Sequence, residues 1–237
     1  MSTARKQERV LGLIPAKGGS TRLAKKNIRP LAGRSLLAWT ADAARASGVI
    51  DRLVVSTEDE EVAEAARALG IDVPFRRPLE LARDPAGVVH VALHALDTLE
   101  AAGERYDTLV TMLPTCPLRS AEDIRGAYDL FIERQRPFVL SVSEFEHTPF
   151  AALGPTPDDR LEPYMPQYFG RKSQEMPKAY RPNGAVHVLD VAAFRKAKTD
   201  LAQPLVGYVM PRARSFDIDT EDDLRAAEVH LALLAGA

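Results

Sequence analysis

Glycine, lysine and hydroxyl side chains are concentrated in residues 16–27, which directly follow a short apolar run. Gly18 and Gly19 would let backbone N–H groups turn towards a phosphate, and Ser20 adds a hydroxyl. The cations available to a triphosphate are Lys17, Arg22 and Lys26. The stretch has neither the Gly-Lys-Ser/Thr ending of a Walker loop nor the spacing of the dinucleotide-binding G-x-G-x-x-G motif. It predicts a phosphate-binding loop of a different kind, with an ordinary basic turn as the alternative.

Asp217 and Asp219 stand two residues apart near the end of the chain, on a segment predicted to be extended. Side chains at positions i and i+2 of an extended segment project to the same side. Two carboxylates placed in this way suit a hydrated Mg²⁺ that bridges phosphates. The alternative is that both residues only add negative charge at the N-terminus of the next helix.

Charge is unevenly distributed along the 237 residues. The chain has 31 Lys and Arg, 33 Asp and Glu and a net charge of −2, yet residues 1–34 hold nine basic residues against one acid. The nearly balanced total argues against a nucleic-acid-binding protein. The local excess favours a small anionic ligand near the N-terminus, with a solvated basic face as the alternative.

Other whole-chain features exclude several classes of protein. The single cysteine, Cys116, excludes an intramolecular disulfide and a multi-cysteine zinc site. No apolar run approaches the roughly 20 residues that cross a bilayer. Residues 1–9 are polar and lack the apolar core of a signal peptide. We therefore expect a cytoplasmic protein that does not bind membranes.

Strand and helix patterns alternate through most of the chain, which predicts one α/β domain over residues 1–237 with a mostly parallel sheet. The expected strands cover residues 10–15, 52–56, 73–75, 108–113, 138–142, 185–189, 206–210 and 216–218. The expected helices cover residues 35–47, 58–69, 88–102, 120–134, 191–198 and 220–234. Gly48 is expected to end the first helix, while Thr57 with Glu60 and Ser120 with Asp123 are expected to cap the second and fourth.

The alternation stops after Phe150. Residues 154–182 contain six of the 17 prolines, which argues against a regular helix. The segment is about twice as long as a typical long loop, so we predict an inserted arm rather than a plain surface loop. Its aromatic side chains suit an interface, and they are Tyr164, Tyr168, Phe169 and Tyr180.

Short segments resemble, in order, the signature of the acylneuraminate cytidylyltransferase family, whose members make CMP-activated nonulosonic acid sugars. They are IPAKGGSTRLAKKN at 14–27, VST at 55–57, RPLEL at 77–81, LPTCPLR at 113–119, RPNGA at 181–185 and FDIDT at 216–220. Each segment alone is a weak signal, whereas the ordered set is specific. The resemblance implies a Rossmann-like nucleotidyltransferase fold with helices on both faces of the sheet. It also implies a homodimer in which the arm crosses to the partner.

The resemblance further implies transfer of CMP from CTP to a nonulosonic acid, with release of pyrophosphate. The residues that would bind the nucleotide are Lys17, Ser20, Lys26, Asn27 and Arg77. The loop adds Gly18, Gly19 and Arg22 to this predicted set. Asp217 and Asp219 would hold Mg²⁺, and Lys17 and Lys26 would stabilise the leaving pyrophosphate. Arg181 and Asn183 would contact the sugar, because arginine suits its carboxylate. The alternative is a structural turn at Pro-Asn-Gly, served by Gly184.

Departures from the family pattern leave some points open. Leu113 stands where neuraminate enzymes commonly have a glutamine that faces the sugar, so the sugar is not identified. Lys17 replaces an arginine and keeps its charge but not its planar fork. The alternatives are activation of another acid sugar, such as 3-deoxy-manno-octulosonate, and a nucleotide-binding relative without catalysis. Cys116 is expected to be a buried packing residue rather than a nucleophile, and the role of His147 and the general base stay open.

Overall fold

The structure, a computed structural model, describes residues 8–20, 22–135 and 137–236. The predictions that involve residues 1–7, with Arg5 and Lys6 among the basic residues, lie outside this part. The described strands are β1 (Val10–Pro15), β2 (Pro30–Leu31), β3 (Arg34–Ser35), β4 (Arg52–Ser56), β5 (Thr108–Thr111), β6 (Phe138–Glu144), β7 (Leu153–Pro155), β8 (Leu161–Pro163), β9 (Tyr180–Asp190) and β10 (Leu205–Val209). The described α-helices are α1 (Leu36–Ser47), α2 (Glu60–Ala68), α3 (Val88–Ala101), α4 (Ala121–Arg134), α5 (Val191–Ala197) and α6 (Glu221–Ala235).

Six strands form the central sheet, in the order β10-β6-β9-β5-β1-β4. Strand β9 runs antiparallel to both of its neighbours, β5 and β6. The other neighbouring pairs are parallel, so five of the six strands point in the same direction. The prediction of a mostly parallel sheet is confirmed, and the carboxyl ends of these five strands share one edge.

Side chains of the strands alternate between two apolar layers, as a sheet covered on both faces requires. In β1, Val10 and Ile14 pack with helices α1, α2 and α4, whereas Leu11 and Leu13 pack with α3 and α5. The predicted placement of helices on both faces is therefore confirmed. A third, smaller cluster packs α6 against the loop after β1 and contains Leu23, Leu31, Leu36, Leu118, Ile218, Leu224 and Ala227.

Two of the expected strands are wrong. Residues 73–75 form no strand, because Pro74 has no N–H to continue the ladder. The pairing with β4 is limited to a single bridge between Asp72 and Val54. Residues 216–218 also form no strand. Instead the N–H of Ile218 donates to the carbonyl of Thr115 at 2.8 Å, so the segment is tied to a loop rather than to the sheet.

Two of the three expected helix caps are confirmed, those at Gly48 and at Ser120. Ser35 caps α1, Gly48 ends it in the left-handed conformation, and Ser120 forms a capping box with Asp123 at α4. The expected cap at Thr57 is wrong, because Asp59 caps α2 by accepting from the N–H of Val62 at 3.0 Å. Thr57 accepts instead from the N–H of Asp59 at 3.1 Å. This shift leaves Glu58 outside the helix, where its side chain is buried.

Strand β9 is interrupted by a bulge at residues 183–186. Pairing with β6 passes from His187–Leu140 to Pro182–Val142. The alternative of a structural turn at Pro-Asn-Gly is wrong, since these residues continue the strand. Gly184 has φ of +70°, and a Cβ there would lie 2.8 Å from Cδ1 of Leu113. Glycine is required both by the left-handed backbone and by this close approach.

Between β6 and β9 the chain leaves the sheet and forms the arm. Strands β7 and β8 pair as a small antiparallel ribbon, and the remainder is irregular backbone with three short 3₁₀ turns. Strand β9 begins at Tyr180, so the last three residues of the predicted arm lie in the central sheet. In the part of the chain that the structure describes, no helix has the length and apolar composition to cross a membrane.

Candidate functional site

A cleft of about 360 Å³ opens beyond the carboxyl ends of β1 and β5. Seven of the residues predicted from the sequence line it: Lys17, Arg22, Lys26, Asn27, Arg77, Asp217 and Asp219. They come from three well-separated segments of the chain. Gly18, Gly19 and Ser20 belong to the same loop but are not part of the lining. Ligands of open α/β sheets bind at this edge, so the cleft is the candidate active site.

Asn27 fixes the backbone of the loop. Its side chain is buried, and Nδ2 donates to the carbonyl of Lys17 at 2.7 Å. Leu23, in the middle of the loop, is buried in the small cluster beneath α6. The loop is therefore anchored at two points, which leaves the side chain of Lys17 exposed beside the cleft.

Gly18 lies against the start of α2. A Cβ on Gly18 would fall 2.2 to 2.5 Å from atoms of the Asp59 side chain, whereas one on Gly19 would meet nothing within 4 Å. The N–H of Gly18 donates to Oε1 of Glu58 at 2.8 Å. In this structure, then, the amide predicted for a phosphate is occupied by a carboxylate.

Asp219 pairs with two of the cations that were predicted to bind phosphate. Its Oδ1 accepts from Nζ of Lys26 at 2.6 Å, and its Oδ2 lies 2.7 Å from Nη2 of Arg22. Asp217 is exposed and has no ion-pair or hydrogen-bond partner among the described residues. A triphosphate that enters the cleft would compete with Asp219 for both cations, because phosphate oxygens are also strong acceptors.

Asp217 and Asp219 fit a metal ion that brings other ligands with it. Within the described residues no group of three or more His, Cys, Asp and Glu side chains could hold a metal. Mg²⁺ is commonly bound by one or two carboxylates, with substrate phosphates and water completing its shell. The two carboxylates beside a cationic loop therefore match Mg²⁺ carried by a triphosphate.

Arg77 forms part of the inner wall of the cleft and is 4% exposed. Its guanidinium donates to the carbonyl and to Oγ of Ser56, and Nε lies 3.8 Å from Oε2 of Glu58. Burial lowers the pKa of Arg77, and the charge of Glu58 opposes this effect. The sequence analysis missed Glu58, which contacts both Gly18 and Arg77. The sequence signal that could have identified Glu58 is its position as an acidic residue just after β4, at the edge of the sheet where ligands bind.

The predicted sugar-side residues lie outside the cleft. Asn183 is buried in the bulge of β9, where Oδ1 accepts from Oγ of Ser141 at 2.6 Å and Nδ2 donates to Oγ of Ser215 at 3.0 Å. Arg181 is exposed, with Nε 3.4 Å from Oγ of Ser143. The structure therefore does not bring these two residues together with the other seven.

Cys116 is fully buried, as expected of a packing residue. Its Sγ donates to the carbonyl of Asn183 at 2.9 Å. Burial raises the pKa of this thiol to about 12, and the charge of Asp217 acts in the same direction. His90 uses its Nδ1 to accept the N–H of Gly87 at the start of α3, and His147 is exposed.

Comparison with known proteins identifies similar sequences and folds. The profile of a family described as Cytidylyltransferase matches residues 11–126. A pseudaminic acid cytidylyltransferase of Campylobacter jejuni is 31% identical over 219 residues, which are 92% of this chain and 94% of that protein. A CMP-N,N'-diacetyllegionaminic acid synthase of Legionella pneumophila is 30% identical over 93% of this chain and 95% of its own length.

The solved structure of a CMP:2-keto-3-deoxy-manno-octonic acid synthetase, in complex with CTP, has a similar fold. It superposes with a TM-score of 0.70 at 13% identity, covering 95% of this chain and 99% of that one. This likeness supports the Rossmann-like nucleotidyltransferase fold that was expected.

The state of Cys116 can be tested with a thiol reagent. A thiol with a pKa of about 12 is ionised at pH 8 to only about one part in 10⁴, and the thiolate is the reacting form. We expect iodoacetamide to leave the native protein unlabelled and to label one thiol after unfolding in guanidinium. Cys116→Ser is the control for the site of labelling. Rapid labelling of the native protein would contradict the burial and reopen a nucleophilic role.

Proposed function

The chain belongs to the acylneuraminate cytidylyltransferase family, and on that premise we propose that this enzyme transfers CMP from CTP to a nonulosonic acid sugar and releases pyrophosphate. One observation carries the proposal: predicted phosphate, nucleotide and metal residues from separate parts of the chain line one cleft. The relatives named above act on pseudaminic and legionaminic acids, according to their names. A CTP-consuming reaction of this kind would take place in the cytoplasm.

In the proposed reaction the anomeric hydroxyl of the sugar attacks the α-phosphorus of CTP. A new O–P bond forms, the bond between the α-phosphorus and the bridging oxygen breaks, and pyrophosphate leaves. Lys17 and Lys26 would stabilise the charge of the departing pyrophosphate, and Arg22 would hold the triphosphate in place. Asp217 and Asp219 would hold Mg²⁺, which when bound neutralises phosphate charge and orients the reacting groups.

The ion pairs of Asp219 suggest an order for these contacts. In this structure Asp219 balances the charges of Lys26 and Arg22. When the triphosphate takes over both cations, the carboxylate of Asp219 becomes available beside Asp217. Lys26 and Arg22 would therefore bind the triphosphate, and Asp219, once released, would bind the Mg²⁺ that accompanies it.

The nucleobase end of the cleft is lined by small and apolar residues. Ala82, Ala86 and Gly87 line the cleft together with Val88 at the N-terminus of α3. We propose that the base of the nucleotide binds beside these small side chains. The preference for cytosine is what membership of the family implies.

The sugar would enter beside Leu113, which lines the cleft and touches the bulge of β9. Arg181 precedes this bulge and remains the proposed partner of the sugar carboxylate. The side chain of Asn183 is hydrogen-bonded to Ser141 and Ser215. We therefore expect Asn183 to influence sugar binding only by fixing the shape of the bulge. Leu113 presents an apolar surface in place of an amide, which would select among related acid sugars.

We further propose that the arm forms the interface of a homodimer. Three of its apolar side chains are largely exposed: Leu161 (64%), Tyr164 (70%) and Phe169 (60%). Aromatic residues are enriched in interfaces and unfavourable as solvated surface. The basic residues Arg171, Lys172 and Lys178 of the same arm would then lie near the acidic sugar in the partner's cleft.

A substrate panel tests the proposed reaction. Pyrophosphate release would be measured with CTP, UTP, GTP and ATP against pseudaminic, legionaminic, N-acetylneuraminic and 3-deoxy-manno-octulosonic acids. We expect CTP to exceed each other nucleotide by at least about tenfold with one or more nine-carbon acids. Equal rates with a purine nucleotide would contradict CTP preference. Turnover of the octulosonic acid alone would favour the alternative acid sugar, and no turnover at all would favour a non-catalytic relative.

Substitution of the two aspartates tests the metal role. Asp217→Asn or Asp219→Asn should lower the rate by about a thousandfold, because several kcal/mol of charge stabilisation would be lost. Both variants should keep the wild-type melting temperature. Asp219→Asn should also bind CTP more tightly without Mg²⁺, since Lys26 and Arg22 lose a competing carboxylate. Asp222→Asn, on the exposed face of α6, is the control. Rates above about a tenth of wild type would refute the assignment.

A charge placed on the arm tests the homodimer. Leu161→Asp should give a folded monomer in sedimentation velocity, because it buries a carboxylate in the proposed interface. Leu201→Asp is the matched control: this leucine is 54% exposed but follows α5, outside the arm. A Leu161→Asp variant that stays dimeric, or a wild-type protein that sediments as a monomer, would exclude the arm as the interface.

A further inference from the structure

The proposed metal-binding aspartates lie on a segment that the central sheet does not hold. After β10 the chain passes through a 3₁₀ turn at Arg212–Arg214 and then runs without regular structure to Thr220, the N-cap of α6. Its backbone contacts are few, with Ile218 N–H donating to Thr115 and Asp219 N–H donating to Oδ2 of Asp223 at 3.1 Å. Side chains must therefore supply much of the constraint on where Asp217 and Asp219 lie.

Arg214 provides such a constraint through a bidentate ion pair with Asp123. Its Nε donates to Oδ2 and its Nη2 donates to Oδ1, both at 2.9 Å. The side chain of Asp123 is fully buried, and it also accepts the N–H of Ser120 at 2.9 Å. Burial alone would raise the pKa of Asp123, but the hydrogen bonds from Arg214 and Ser120 hold it below its usual value. The planar guanidinium is thus fixed in direction as well as position.

The ion pair joins two walls of the cleft. Asp123 stands in the first turn of α4, directly after residues 113–119, and three residues of that loop line the cleft: Leu113, Pro114 and Thr115. Arg214 stands three residues before Asp217. The neighbouring Ser215 adds a second tie, to Asn183 in the bulge of β9. Replacing a whole buried ion pair by apolar residues often changes stability little, whereas removing one partner destabilises the protein because the other charge stays buried. An effect of Arg214 on geometry must therefore be separated from its effect on stability.

We propose that Arg214 is a positioning residue for the metal carboxylates. Through its ion pair with Asp123 it holds the segment of Asp217 and Asp219 against the 113–119 loop, where the two carboxylates would bind Mg²⁺ together with the triphosphate. The inference rests on the proposed function. Without the ion pair the carboxylates would occupy several positions, so the enzyme would need more Mg²⁺ and turn over more slowly. The phosphate loop after β1 would be unaffected.

The test compares Arg214→Gln and the milder Arg214→Lys with the control Arg125→Gln. Arg125 lies on α4, as Asp123 does, and it donates two hydrogen bonds, as Arg214 does. Its acceptors are the carbonyls of Ser47 and Ala46, so it contacts α1 rather than the aspartate segment. For each variant we would measure kcat, the Mg²⁺ concentration at half-maximal rate, the Kd of CTP without Mg²⁺, and the melting temperature. Hydrogen exchange of residues 212–220 would be followed in the ligand-free protein.

For Arg214→Gln we expect about a tenfold rise in half-saturating Mg²⁺ and about a tenfold fall in kcat, the usual range for residues that orient metal ligands. Arg214→Lys should lie between this variant and wild type, since it keeps the charge and one hydrogen bond. The Kd of CTP without Mg²⁺ should stay within about twofold. Exchange should accelerate at residues 212–220, including the amide of Ile218, and not elsewhere.

An unchanged Mg²⁺ requirement together with unchanged exchange at residues 212–220 would overturn the inference. So would an equal shift in Arg125→Gln, because it would attribute the effect to general destabilisation. Failure of the proposed function is distinguishable, since wild-type enzyme would then release no pyrophosphate from CTP and acid sugar. Hydrogen exchange needs neither substrate nor metal, so it still decides whether Arg214 holds the segment.

Discussion

The common direction of five strands is the constraint on which the rest of this structure depends. Because β1, β4, β5, β6 and β10 all end at one edge, the segments that follow them converge there. Four such segments are residues 16–27 after β1, Glu58 after β4, residues 113–119 after β5 and the segment of Asp217 and Asp219 after β10. The sheet brings residues that are far apart in the sequence to one edge, and side-chain contacts then bring Nζ of Lys26 within 2.6 Å of Asp219. The edge that collects the ligand-binding side chains must also accommodate their charges.

Carboxylates balance the cations at this edge of the sheet. Asp219 pairs with Lys26 and Arg22, Glu58 lies beside Arg77, and Asp123 binds Arg214. These pairs are not equivalent. In the Arg214 pair the carboxylate of Asp123 is fully buried and the contact is bidentate, whereas Asp219 is 30% exposed and makes only one contact to each of its two partners. The proposed binding of a triphosphate needs the Asp219 pairs to open and leaves the Arg214 pair in place.

Much of this arrangement could be predicted from the sequence, because local signals agreed with the fold. Apolar runs predicted the central strands, and Ser35 and Ser120 indicated where two helices begin. The ordered motifs predicted seven residues of the cleft. One error arose between competing local signals, and another where tertiary contacts override local preference. Asp59 displaced Thr57 as a cap and so turned Glu58 inwards, while Pro-Asn-Gly, a usual turn sequence, is held within β9 by Ser141 and Leu113. Pairings over long sequence separations, such as Asp123 with Arg214, have no periodicity that a sequence pattern could reveal.

The antiparallel direction of β9 has a consequence for how this fold can diversify. The chain leaves the sheet at Glu144 and returns at Tyr180, and these two residues are directly paired in the ladder. The ends of the intervening segment are therefore adjacent, whatever its length, and doubling that length adds only about 0.6 kcal/mol of closure entropy. Insertions, deletions or a wholly different module can be accepted at this point without altering the register of any core strand. The arm can thus change in length and sequence while the cleft at the strand ends keeps its framework.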